Sequence, residues 1–160
     1  IFGGWLKSTP ELDVKKTLAN ATHEEYEHAT FLEEALRSKG ATPHDYQALP
    51  AQMAMFNAFE GLTETVERIA AFPMAGEGVA DYLIAKSLKA ATVPSWVTAP
   101  YQKIHEDEAE HGNYPFEILV KYATTAEKQE KATRAVAMSL VLRRAYFDNL
   151  DHWVYDGSLY

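Results

Sequence analysis

The chain has 160 residues, 47% of them apolar and 24% charged, with a net charge of −8 and no cysteine. That is enough for one domain with a real core, and the balance is that of an ordinary globule. The acidic balance leaves no basic stripe for nucleic acid or an anionic membrane. The missing cysteine excludes disulfides, iron–sulfur clusters, thiolate zinc sites and a cysteine nucleophile.

The opening Ile1-Phe2-Gly3-Gly4-Trp5-Leu6 reads as the end of an earlier helical segment that the sequence lacks. Thr9-Pro10 then supplies an N-cap and a proline at the first helical position. This predicts a helix to about Lys39, stopped by Gly40. Thr42-Pro43 opens a second segment that Pro50 interrupts, and a helix over 51–71 follows, ended by Pro73. A third helix is predicted over 74–91. Pro94 and Pro100 bracket the entry to a fourth over 96–122, with Pro115 as a kink. The capping box Thr124-x-x-Glu127 starts a long last helix that ends near Asp156-Gly157. No strand, repeat, signal peptide or bilayer-length apolar run interrupts this pattern. The expectation is an all-α helical bundle, a single domain over residues 1–160, in a cytoplasmic setting.

Two copies of Glu-x-x-His stand out, Glu25-Tyr26-Glu27-His28 and Glu108-Ala109-Glu110-His111. Each puts a carboxylate and an imidazole on one helical face, a turn apart. In the first helix Leu18, Glu25, His28, Leu32 and Leu36 form one stripe. In the fourth, Val97, Tyr101, Ile104, Glu108, His111, Pro115, Ile118 and Tyr122 form another. Both motifs therefore interrupt core-facing rows. A buried, unpaired carboxylate costs several kcal/mol, roughly, after relaxation, so the pairs need a strong partner, and divalent cations would supply it. The run of acids from Glu106 to Glu110 points the same way, since like charges this dense weaken a helix.

Other polar residues are screened by the same periodicity. The second helix buries Met55, Phe59, Leu62, Val66 and Ile69, leaving Glu64, Glu67 and Arg68 off the stripe and Glu60 at its edge. In the third, Glu77 falls in a row with Met74, Ala80 and Ile84, making it the choice for a bridging carboxylate, with Asp81 one turn on. Glu24, Glu27, Glu33 and Glu34 read as solvated, and His23, His44 and His152 as surface or capping residues. His105 lies one row off the seam. Tyr101, Tyr114 and Tyr122 read as packing. Arg143 and Arg144 are left open between pairing with the excess acids and meeting an anionic substrate.

Paired Glu-x-x-His motifs, with a lone glutamate on the helix before the second, resemble the ferritin-like di-iron carboxylate proteins. That group includes bacterial multicomponent monooxygenases, ribonucleotide reductase small subunits, acyl desaturases and rubrerythrins. Glu77 precedes Glu108 by 31 residues, as the resemblance requires. It spans roughly residues 10 to 122. One departure is the glutamate expected before Glu25, which has no counterpart. Either a preceding helix supplies it, or Glu60 or another acid takes its place. The chain is also similar to the haem-oxygenase-like di-iron oxidases, in which Asp107-Glu108-x-x-His111-Gly112 would form the closing cluster. There the usual histidine position is held by Ile104, with His105 one residue off.

Both resemblances imply two Fe ions, with Mn as an alternative, and O2 as co-substrate. The ligands would be Glu25, His28, Glu77, Glu108 and His111, with a sixth from Glu60, Asp81, His105, Asp107 or the absent segment. Hard carboxylates with one imidazole per metal suit Fe(II) or Mn(II). The implied protein is an oxidase or oxygenase acting on a small-molecule substrate, working with an electron-donor protein or partner subunit and forming a homo-oligomer. The alternatives are a ferroxidase and a metal-free helical protein of the thiaminase-like kind.

Overall fold

The first long helix, α2 (Leu12–Arg37), buries Val14, Leu18, Ala21, His28 and Ala35 along a single stripe. The computed structural model describes the backbone of residues 1–42, 47–90, 93–111 and 113–154, and their side chains except at 109–111 and 149–154. Every described element is helical, so the all-α bundle expected from the sequence stands. Among these residues no helix is long and apolar enough to cross a membrane.

Thr9 does not cap α2. Its buried hydroxyl donates to the Trp5 carbonyl at 3.0 Å, and Glu11 takes the N-cap place. The segment before it forms a short helix, α1 (Phe2–Trp5), whose two aromatics enter the core. Phe72 sits among them, with edge-to-face contacts to Phe2, Trp5 and Phe59 at 5.0, 6.3 and 5.4 Å. Burying side chains such as Phe59, Leu18 and Ile69 contributes about 1.5–3 kcal/mol each.

The expected helices over 51–71 and 74–91 are divided differently. α3 (Pro50–Glu60) ends at Gly61, whose N–H returns to the Asn57 carbonyl. A new helix begins at α4 (Thr65–Ile69), where the Glu64 N–H donates to Glu67 Oε2 at 3.3 Å. Arg68, expected off the apolar stripe, is buried. Its Nε donates to the Leu62 carbonyl at 2.9 Å and its guanidinium lies 5.6 Å from the Trp5 ring, stitching the loop to α1.

Pro73 does not end a helix. The chain runs on from α4 through a π-helical stretch (Ala70–Glu77) into α5 (Gly78–Lys89). In an α-helix the Pro73 ring would clash with the carbonyl of residue 69, and its missing N–H would orphan that group. The wider π turn, with i→i+5 pairing, relieves both problems.

The fourth predicted helix is two. α6 (Ser95–His111) stops, and α7 (Tyr114–Tyr122) restarts with Asn113 as N-cap and Pro115 in its first turn. The last helix, α8 (Ala126–Val154), is capped one residue later than expected, by Thr125 Oγ1 accepting from the Lys128 N–H. It packs along α3, α4 and the π stretch, while α2 packs on α1 and α6, and α5 on α6. Asp13 joins α2 to α7 through Lys121 Nζ at 2.5 Å and the Tyr122 hydroxyl at 2.6 Å.

Candidate metal centre

Three parts of the bundle bring carboxylates to one imidazole. α2 contributes Glu25 and His28, α6 contributes Asp107 and Glu108, and the C-terminal end of the π stretch contributes Glu77. One donor atom from each of Glu25, His28 and Glu108 lies within 4.8 Å of the others, a group that can hold a metal ion.

His28 is 5% exposed. Its Nδ1 stands 3.7 Å from Glu108 Oε1, and its Nε2 stands 3.5 Å from Asp107 Oδ2. These separations are too long for well-formed hydrogen bonds, and Nε2 is buried without a hydrogen-bond partner. A space of about 10 Å³ lies among Glu24, Glu25, His28, Glu77, Glu108 and Tyr114. That is close to the room one water or ion needs. An ion with bonds of about 2.1 Å spans donors up to about 4.2 Å apart, so the group would close by roughly half an ångström around it. An orphaned buried imidazole nitrogen among hard oxygen donors fits Fe(II) or Mn(II).

Glu77 borders the same space. Burial pushes its carboxyl up to about 8, Glu108 and Glu25 push the same way, and the Tyr114 hydrogen bond and the Arg143 charge oppose them. The Tyr114 hydroxyl donates to Glu77 Oε2 at 3.2 Å, and burial followed by Glu77 itself raises the phenol. Asp107 is held below the usual carboxylate range, chiefly by Lys103 at 2.5 Å.

Glu77 does not arrive by the row expected for it. Met74 and Ala80 are exposed, and α5 buries none of its residues. The inward residues here are Ala70, Ala71, Pro73, Ala75 and Gly76. π-Helical turns frequently mark functional sites, and this one aims a carboxylate at the bundle interior.

The other candidates separate clearly. Glu60 is exposed on α3, away from the cluster. Asp81 and His105 pair with each other at 2.5 Å. His111 ends α6, but its side chain lies outside the described residues, as does that of His152, and His44 lies outside them altogether. His23 is exposed, 3.9 Å from Glu27. Glu24, read as solvated, borders the central space because it lies four residues before His28 on the same helical face.

Two cavities reach the cluster. One, of about 210 Å³, has Pro73, Met74 and Pro115 as apolar wall, with Glu77, Glu108 and Asp81 as its polar groups. The other, about 250 Å³, runs from Glu25 to Phe2, Phe56 and Phe72. Comparison with known proteins finds no matching family model, no matching curated protein and no matching solved structure.

Proposed function

We propose that the protein is an O2-dependent non-haem di-iron oxidase or oxygenase acting on a small organic substrate. The observation that carries this reading is His28, a buried imidazole with an orphaned Nε2, facing carboxylates from separate helices around an ion-sized space. Glu25, His28, Glu77 and Glu108 would hold the metal, with His111 as the second imidazole. When bound, reduced iron supplies electrons to O2 and the power to oxidise a C–H bond, an amine or an aldehyde.

The chain's own residues would orient and shield that chemistry. Tyr114 fixes Glu77 through its hydrogen bond. The apolar wall of Pro73, Met74 and Pro115 would seat the substrate against Glu77 and Glu108 and exclude water. Asp81, paired with His105, would hold a proton in the same cavity. An apolar cavity against the ligands favours an organic substrate over iron storage. A cytoplasmic setting, a homo-oligomer and an electron-donor protein or partner subunit complete the proposal.

Anaerobic loading with Fe(II), followed by elemental analysis, tests the centre. Near two irons per chain is expected, falling in Glu108→Ala. A folded wild type that retains no iron sinks the reading.

A further inference from the structure

We propose that Arg143 is a positioning residue of this centre, a fixed positive charge behind Glu77 that raises the reduction potential of iron held there. The inference rests on the iron reading above.

α8 carries the Arg143 guanidinium into the core. Its Cζ lies 5.8 Å from the Phe59 ring centroid and 5.5 Å from that of Phe72. Its Nε is buried without a hydrogen-bond partner. No salt bridge to it is found among the described residues. It fills the place a side chain at residue 76 would need. A Cβ on Gly76 would stand 2.1 Å from Nη2, 2.9 Å from Cζ and 3.3 Å from Nε. Glycine at position 76 is thus a cradle for the guanidinium, and the next residue is Glu77.

Packing alone does not call for a charge in this slot. Burying an unpaired charge in a dry core costs more than cation–π contact with the two rings returns. A methionine of similar length would fill the volume without that cost. The charged or titratable groups whose fields reach Arg143 are Glu77 and Tyr146. Its charge therefore acts on the centre through Glu77. A nearby cation destabilises the more oxidised metal more than the reduced one, so it raises the potential. Arginine suits the slot because a flat, weakly hydrated guanidinium stacks on rings where an ammonium does not.

The test compares wild type, Arg143→Met, Arg143→Lys and Gly76→Ala. Each is loaded anaerobically with Fe(II), and the midpoint potential of the bound iron is measured by mediated titration. Thermal melting of the metal-free forms runs alongside. Arg143→Met is expected to melt near or above wild type while its iron shifts to lower potential. Arg143→Lys keeps the charge and should hold a potential near wild type despite a lower melting temperature. Gly76→Ala evicts the guanidinium and should shift the potential as methionine does, which carries the test if Arg143→Met fails to fold. Bound iron with an unchanged potential in Arg143→Met and Gly76→Ala overturns the role of Arg143 alone. So does a lysine variant that falls as far as methionine, because packing would then explain both. Wild type without iron overturns the role and the centre together.

Discussion

His28→Leu is expected to leave the metal-free fold at least as stable as wild type and to abolish its stabilisation by Fe(II). The side chain is 5% exposed, and its Nε2 has no hydrogen-bond partner. Replacing an unsatisfied buried polar group with an apolar one of similar size is neutral or favourable. With metal the balance reverses. An ion at 100 times its Kd adds about 2.7 kcal/mol to a native state that alone binds it. Losing groups that merely orient a ligand weakens metal sites about 10–100-fold, and losing the donor itself should weaken this one by about 100-fold or more. Calorimetry with and without anaerobic Fe(II) checks both halves. An equal rise in melting temperature in the variant would exclude His28 as a ligand. A variant that melts well below wild type without metal would make His28 a structural residue.

The second large effect is on stability against pH in the metal-free protein. Glu77 is raised from 4.5 to about 8, first by burial and then by Glu108 and Glu25. The folded state therefore binds a proton that the unfolded state has released over this window. Stability contributed by this group is complete below about 4.5 and is lost as pH rises through about 8. A tenfold difference in proton affinity between the two states is worth about 1.4 kcal/mol, so the loss amounts to a few kcal/mol. Glu77→Gln keeps an acceptor for Tyr114 and removes the titration. Urea unfolding at pH 5 and pH 8 should show wild type weaker at pH 8, and Glu77→Gln nearly level and the more stable of the two there. A variant with the wild-type slope would assign the dependence to another group. Fe(II) should oppose the trend, since metal binding displaces the proton and strengthens as pH rises.

The parts of this arrangement that follow α-helical periodicity were legible in the sequence. Val14 and Leu18 on α2, and Val97, Ile104 and Ile118 on α6 and α7, are buried. The same rows lead to His28 and Glu108. The helix boundaries around Glu77 were not legible, because the proline rule presumes α-helical geometry and Pro73 sits in a π turn. Glu77 reaches the cluster, while its supposed row-mates Met74 and Ala80 face solvent. The break at Gly61 did leave a signal, a glycine followed by Glu64-x-x-Glu67. Arg143 was left open because searches for apolar stripes pass over a buried cation. Its trace is the row Ala135, Ser139 and Arg143 in steps of four, two small buried residues leading to one large one. Likewise Tyr114 read as packing, although its hydroxyl is a donor to the Glu77 carboxylate.

The π stretch also makes the aim of Glu77 depend on chain length. Each i→i+5 bond takes in one residue more than an α turn. With one residue fewer between Ala70 and Glu77, the helix from α4 into α5 could run as plain α, and Glu77 would swing about 100° around its axis relative to α4. Every side chain could be kept and the carboxylate would still leave Glu25 and Glu108. Alanine scanning would pass over this parameter. A one-codon insertion or deletion would make or unmake the centre at a stroke, so length variation along this helix among natural sequences is a more telling record of the site than the identity of any residue within it.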